Sequence, residues 1–451
     1  MLLGLNVRRG RRVLIALDDR PEMVACFLGA IRIGAVPVPF NPSATGEELA
    51  FAVTDSGARV AVLSEPAARR FAPDRERSGL RVQVIVVGAA LAPELAWSDL
   101  TRAVGPAVET AATAPDDPCY WSYTVGTSGI PYAAVHRQSD MRACVEQWSR
   151  PVLGLNPADT VFSAAKLFTS YGLGNSLFHP LGTGATTVLM EEPPAAPLVF
   201  DTVRRFRPSI FFAVPTGFAN SLAWTGADFS SVRMCVSAGE PLAGSLLERW
   251  RARTGTEILE VYGSSELAHA TISNVFGSAR ADSCGRLVPG CDARIVDDAG
   301  HEVPSGETGM LVVASPASAR SYWRRPSLSR RVFVDGWTVT GDLFSRDADG
   351  WFQFHGRKDG MLKVGGQWVS PAQVEAVVRR HPAVARCRVS GVPAEDRLVR
   401  LKADLLLRDG HSDTSLVALE IRRLLRAELP AYKWPRDLSF GTSEEEGAGA
   451  R

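Results

Sequence analysis

The chain has 451 residues, more than one ordinary core accommodates, so two or three domains are expected. A formal net charge of +1 excludes electrostatic recruitment to nucleic acid or an anionic membrane, and 45% hydrophobic with 22% charged residues is the balance of a globular protein in water. The seven cysteines form no C-x-x-C and no metal-ligand spacing, and no signal peptide or apolar run of membrane-spanning length is present, so reduced thiols in a cytoplasmic protein are expected.

Arg12–Leu17 reads as a buried strand, and Pro21–Ile33 as a helix opened by proline and stopped by Gly34. Ala35–Pro39 is a short extended return, Glu47–Ser56 a second helix, and Arg59–Leu63 and Val82–Val87 are further strands. Strand–helix alternation of this kind predicts a largely parallel sheet with helices on its faces. It resumes at Thr186–Met190, Ser209–Val214 and Arg233–Ser237. After Gly285 the texture changes. Ala293–Val296 and Gly309–Val313 look like antiparallel strands set off by D-D-A-G and S-G-E-T-G turns, a β-rich subdomain over about 285–355. Beyond Gly356–Asp359 come a hairpin-like stretch, a helix at Pro371–Arg380, strands at Ala385–Val392 and Val399–Leu406, and a helix at Ser415–Glu428. The expected fold class is therefore α/β: an N-terminal domain over 1–355 with mixed and parallel sheets sandwiched with helices, and a small α+β domain over 356–440. The tail over 441–451 lacks apolar anchors and is expected to be disordered.

Several segments carry chemistry. Trp121–Gln138 reads W-S-Y-T-V-G-T-S-G-I-P-Y-A-A-V-H-R-Q. Gly126 and Gly129 can adopt positive φ and turn N–H groups into an anion nest, with Thr127 and Ser128 adding hydroxyl donors. A plain hairpin turn explains the same residues equally well. Val261–Glu266 ends an apolar strand with a small-residue turn and a carboxylate. Taken alone, a helix start capped by Ser264 or Ser265 is the simpler account. Ser237-Ala238-Gly239-Glu240 would let a flat ring approach the backbone. Asp342 and Arg357 suit the hydroxyls of a ribose, or alternatively an Asx turn and a surface charge cluster. Ser163–Asn175 walls an aromatic pocket, or else forms an amphipathic helix that buries Phe168 and exposes Lys166. Only five lysines stand against 45 arginines.

The order of these segments from about Arg11 to Phe440 resembles the adenylate-forming superfamily, and within it benzoate-CoA ligase and related aryl-CoA ligases. The motifs are the phosphate loop Tyr123–Pro131, S-A-A-K-L-F-T-S-Y-G-L-G-N at Ser163–Asn175, S-A-G-E at Ser237–Glu240, Y-G-S-S-E at Tyr262–Glu266, T-G-D at Thr340–Asp342 and G-R-K-D-G-M-L-K-V-G-G at Gly356–Gly366. The resemblance implies an AMP-forming ligase that uses ATP, Mg²⁺ and CoA. A carboxylate attacks ATP to give an acyl-adenylate and pyrophosphate; a thiol of CoA or a carrier protein then displaces AMP while the small C-terminal domain rotates. It implies that Thr127, Ser128 and Gly129 hold phosphates, that Ser237, Ala238, Gly239 and Glu240 flank adenine, and that Tyr262 stacks nearby. Ser265 would contact the AMP phosphate, Glu266 Mg²⁺, and Asp342 and Arg357 the ribose. Asp359 would be the hinge, with Lys363 and Gly366 near the thioester-forming face. Ser170, Tyr171, Gly263, His269 and Ala270 would line the aryl pocket, with His269 and Tyr171 toward the carboxylate or a ring substituent. The family also allows a homodimer.

Three departures are visible. Tyr132 and Ala133 follow the loop proline where the family has lysine and glycine, and a phenol cannot neutralise pyrophosphate. No lysine follows Lys433 of Lys433-Trp434-Pro435-Arg436 in this sequence, whereas the family's catalytic lysine lies further on. The sequence starts at Met1-Leu2-Leu3-Gly4, inside what is normally an early helix. Three readings stay open at this point: an aryl-acid CoA ligase; an impaired homologue that binds nucleotide or aryl acid; and an adenylating enzyme for another nucleophile, such as a nitrite-activating diazotase.

Overall fold

The computed structural model describes residues 1–102, 105, 108–125, 129–223, 228–358, 360, 362–365, 367–369, 371–393, 398–408 and 413–441. The first sheet is five-stranded and parallel, in the order Val36–Pro39, Arg12–Ala16, Val60–Ser64, Gln83–Val87, Leu95–Ala96. Its central strands are buried on both faces, as near-continuous apolar runs require. The helices Pro21–Arg32 and Gly46–Ser56 follow the expected bounds closely. Thr45 and Glu48 form a reciprocal capping box at the start of the second, and Gly57 ends it in the left-handed region at φ 61°. The helix Glu65–Arg77 has no counterpart in the sequence reading. Its buried face is only Ala67, Ala68 and Phe71, and Pro73 sits inside it, so its periodic signal is faint.

The second sheet has seven strands. Thr186–Val188, Thr160–Ser163, Ile210–Ala213, Met234–Ser237 and Ile258–Gly263 run parallel, and Ala270–Ser273 and Arg286–Leu287 close one edge antiparallel. Asp292–Val296, Gly309–Ala314, Trp337–Arg346 and Phe333–Val334 form an antiparallel sheet extended by Phe352–Arg357, where the β-rich texture was read. The hairpin Pro118–Val125 with Pro131–Arg137 pairs Ser321–Tyr322 at its edge.

Toward the C-terminus, Pro371–Val378 and Thr414–Glu428 pack with Val384–Pro393 and Val399–Leu407 around Val374, Val389, Leu401 and Ile421. Asp437–Gly441 adds a parallel edge strand beside Val399–Leu407. It was missed because D-L-S-F-G offers only two apolar residues in alternation. The reading of 441–451 as disordered falls on 442–451, outside the described residues, apart from Gly441, which ends that strand.

Candidate active site

The phosphate-loop segment caps the hairpin, with Val125 opposite Pro131 and Thr124 opposite Tyr132. Gly129 has φ 74°, where a side chain would be strained. Gly126, Thr127 and Ser128 lie outside the described residues. Tyr132 turns its ring edge-on to Tyr322 at 4.6 Å, and the Tyr322 hydroxyl donates to Glu266 Oε1 at 2.8 Å. An aromatic pair thus braces the carboxylate at the position where the motif order leads one to expect a cation.

The strand Ile258–Gly263 carries Val261, Tyr262 and Gly263 within it. No helix begins at Ser264–Glu266, so the helix-cap account fails; the chain turns back into Ala270–Ser273. Gly263 has to be glycine, because a Cβ there would sit 2.3 Å from the His269 carbonyl oxygen. The Ser265 carbonyl is within 2.8 Å of His136 Nε2, while His136 Nδ1 lies 3.1 Å from Asp140 Oδ2. Asp140, fully buried, also accepts the backbone N–H and Nε–H of Arg137. Tyr120 stacks on His136 at 4.6 Å and 9°. Of these residues only Ser265 was singled out from sequence; His136 and Asp140 join it only when the hairpin packs on the second sheet.

Asp342 and Arg357 are brought together. They face each other across the strands Trp337–Arg346 and Phe352–Arg357, with Nη1 3.2 Å from Oδ1. The Tyr262 hydroxyl donates to Asp342 Oδ2 at 2.6 Å. Asp342 is thus a buried strand residue and not an Asx-turn residue, and Arg357 is no surface cluster. Tyr262 packs its ring edge-on to Phe344 at 4.8 Å. Of the adenine-wall residues, Ala238 and Gly239 line the main cavity. Ser237 is fully buried, and Glu240 turns to the helix Pro215–Leu222, accepting the Thr216 hydroxyl at 2.9 Å.

The cavity holds about 570 Å³ and is lined by Ser170, Tyr171, Gly263, Ser265, His269 and Ala270 among others. Tyr171 spends its hydroxyl proton on the Val236 carbonyl at 2.9 Å, so it shows the cavity a ring. His269 stacks on Tyr171 at 5.7 Å and reaches Asn175 Oδ1 through Nε2 at 3.1 Å. Burial holds its pKa down to about 3, weakly opposed by the Tyr171 carbonyl, and burial likewise lowers neighbouring His179. His269 is therefore neutral near pH 7, and the part of the cavity wall formed by Tyr171 and His269 is aromatic and uncharged.

Lys166 is not exposed, contrary to the amphipathic-helix account. Its ammonium donates to the carbonyls of Met190 and Glu192, and the helix starts only at Ser170. Beside it, Asp19 is 3% exposed and accepts the Leu167 N–H at 2.9 Å. Burial raises its pKa to about 6 against the attraction of Lys166. An acid with a raised folded-state pKa contributes stability below pH 4 that is lost as pH rises through 6. Urea unfolding between pH 4 and 7 should show wild type losing on the order of 3 kcal/mol relative to Asp19→Asn across that window. Parallel pH profiles for the two proteins would refute this.

At the far side, Gly365 reaches the cavity from the hairpin of Leu362–Val364 with Gln367–Val369. The backbone of Lys363 lies in that hairpin; Asp359 and Gly366 lie outside the described residues. Lys433, 3% exposed, donates to Gln373 Oε1 at 3.0 Å and pairs with Glu48 Oε1 at 3.4 Å. That contact joins residues 385 apart, so no local pattern announces it.

Known proteins resemble the chain over nearly its whole length. The family model described as AMP-binding enzyme matches residues 1–323, and that of the AMP-binding enzyme C-terminal domain matches 373–445. Benzoate–CoA ligase of Thauera aromatica is 38% identical over 442 residues, covering 97% of this chain and 83% of that enzyme. An anthranilate CoA ligase solved with anthranoyl-AMP superposes with a TM-score of 0.79 at 35% identity, covering 98% of this chain and 85% of that one. An amide bond synthetase of Marinactinospora thermotolerans superposes at 0.87 with 27% identity, covering 98% and 88%.

Proposed function

The chain belongs to the AMP-binding enzyme family, and from that premise we propose that it joins an aryl carboxylic acid to CoA through an acyl-adenylate. The observation that carries this reading is that one cavity is lined both by the uncharged aromatic pair Tyr171 and His269 and by Ala238, Gly239 and Ser265. An aryl ring on the first would bring its carboxylate beside a nucleotide phosphate on the second. The relatives' substrates, benzoate and anthranilate, are rings of that kind.

In this reading Asp342 accepts the ribose hydroxyls and Arg357, paired with it, holds the sugar–phosphate edge. Thr127, Ser128 and Gly129 cradle the phosphates. Mg²⁺ is commonly held by one or two carboxylates plus substrate phosphates, and Glu266, with one oxygen braced by Tyr322, fits that donor set. The ion would offset phosphate charge as the carboxylate attacks. Catalysis rests on positioning and charge more than on covalent chemistry. Gly365, in the hairpin that carries Lys363, lines the cavity where a thiol would enter. Residues 1–355 and 356–440 act as the two bodies of this cycle, with Asp359 as hinge. Among the described residues no helix is long and apolar enough to cross a membrane.

Tyr132 favours a second reading, in which adenylation is slow and thiol transfer is intact, because a phenol offers no charge to pyrophosphate. Pyrophosphate release and thioester formation with benzoate, hydroxybenzoates and anthranilate, with and without CoA, test both. Release with an aryl acid followed by CoA-dependent thioester supports the ligase. Thioester from a supplied aryl-adenylate without pyrophosphate release selects the second reading. Neither product sinks both.

A further inference from the structure

Three serine hydroxyls from three distant segments meet at the cavity. Ser170 Oγ donates to Ser265 Oγ at 3.0 Å, and Ser122 Oγ lies 2.6 Å from Ser170 Oγ. A serine hydroxyl has one proton and two acceptor lone pairs. The Ser170 proton is committed to Ser265, so Ser122 is the donor in the other contact. The chain therefore has a direction: Ser122 to Ser170 to Ser265. The Ser265 proton comes last. It has no acceptor among the described residues, and Ser265 lines the cavity. Its backbone is held from behind, through its carbonyl, by His136. Ser122 itself is 7% exposed on the strand Pro118–Val125, is not among the cavity-lining residues, and has Ser170 Oγ as its side-chain partner. Hydroxyls in series polarise one another, and the effect is strongest where water is excluded.

We propose that Ser122 is a positioning residue: by donating to Ser170 it fixes the Ser265 hydroxyl so that its proton is offered to an anionic oxygen of the acyl-adenylate. This rests on the reading of the cavity as an adenylate site. Ser265 and Ser170 touch the ligand; Ser122 acts only through them. An anionic oxygen gains charge as the carboxylate attacks, so a pre-aimed donor acts more on the transition state than on substrate binding.

The test uses the full chain with Ser122→Ala, Ser122→Thr, Ser265→Ala and the Ser122→Ala/Ser265→Ala pair, measuring pyrophosphate release and thermal stability. Ser122→Ala should lower kcat about tenfold, the scale of one hydrogen bond. KM for the acid and ATP should stay within about twofold, as for an interaction made in the transition state. Ser122→Thr, which keeps the hydroxyl, should recover most of the rate. In the Ser265→Ala background, Ser122→Ala should cost nothing further. A wild-type kcat in Ser122→Ala would overturn the proposal. So would equal losses in the alanine and threonine variants in step with lowered stability, or additive losses in the pair. An active wild type with an unaffected Ser122→Ala removes the serine chain alone. A wild type that makes neither pyrophosphate nor thioester from any aryl acid removes the adenylate reading and this proposal with it.

Discussion

Asp140→Ala should destabilise the fold by about 3–5 kcal/mol, the range seen when one member of a buried charged network is removed. Asp140 is fully buried and anchors the Arg137 backbone, the Arg137 guanidinium and His136. Alanine would leave those donors without this acceptor, with His136 fully buried and Arg137 only partly exposed. The loss should also reach the cavity, because His136 would no longer be held against the Ser265 carbonyl. Asp140→Asn, which keeps one acceptor oxygen, should lose less. Urea unfolding of the two variants against wild type checks this. A shift below about 1 kcal/mol for alanine, the scale of an ordinary surface change, would show that the network is not stabilising.

Glu266→Gln should lower pyrophosphate release about 100- to 1000-fold, the usual consequence of removing a preorganised electrostatic group. The amide oxygen can still accept the Tyr322 hydroxyl, so the brace and the fold should survive. Tyr322→Phe removes the brace and leaves the charge, and its loss should be much smaller. Burial, together with nearby Glu266, raises the Tyr322 pKa, so this phenol stays a neutral donor at any working pH. Steady-state rates at several Mg²⁺ concentrations separate the two variants. Equal losses would mean that geometry, and not charge, is what Glu266 supplies.

Tyr132 shows where sequence and structure each contribute. The missing cation was plain in Pro131-Tyr132-Ala133. What stands in its place was not: the ring leans on Tyr322, which lies 190 positions along the chain, and through it on Glu266. The expected aryl pocket is similar. Ser170, Tyr171, Gly263, His269 and Ala270 were placed by resemblance, and all five line one cavity. Glu240 was expected at the adenine wall, and its carboxylate accepts from Thr216, a partner with no local signature.

The sequence by itself determined the parallel sheets, the β-rich segment, the small C-terminal unit and the family, because strand and helix periods and motif order are local properties. Lone helices with narrow apolar faces, such as Glu65–Arg77, escaped because packing and not propensity holds them. Only the tertiary structure decided which side chains are committed and which are free. It tied Tyr171 to Val236, Glu240 to Thr216 and Lys433 to Glu48, and it aligned Ser122, Ser170 and Ser265. A hydrogen bond depends on where a partner sits in space, and residues that meet across packed sheets leave no mark in the spacing along the chain.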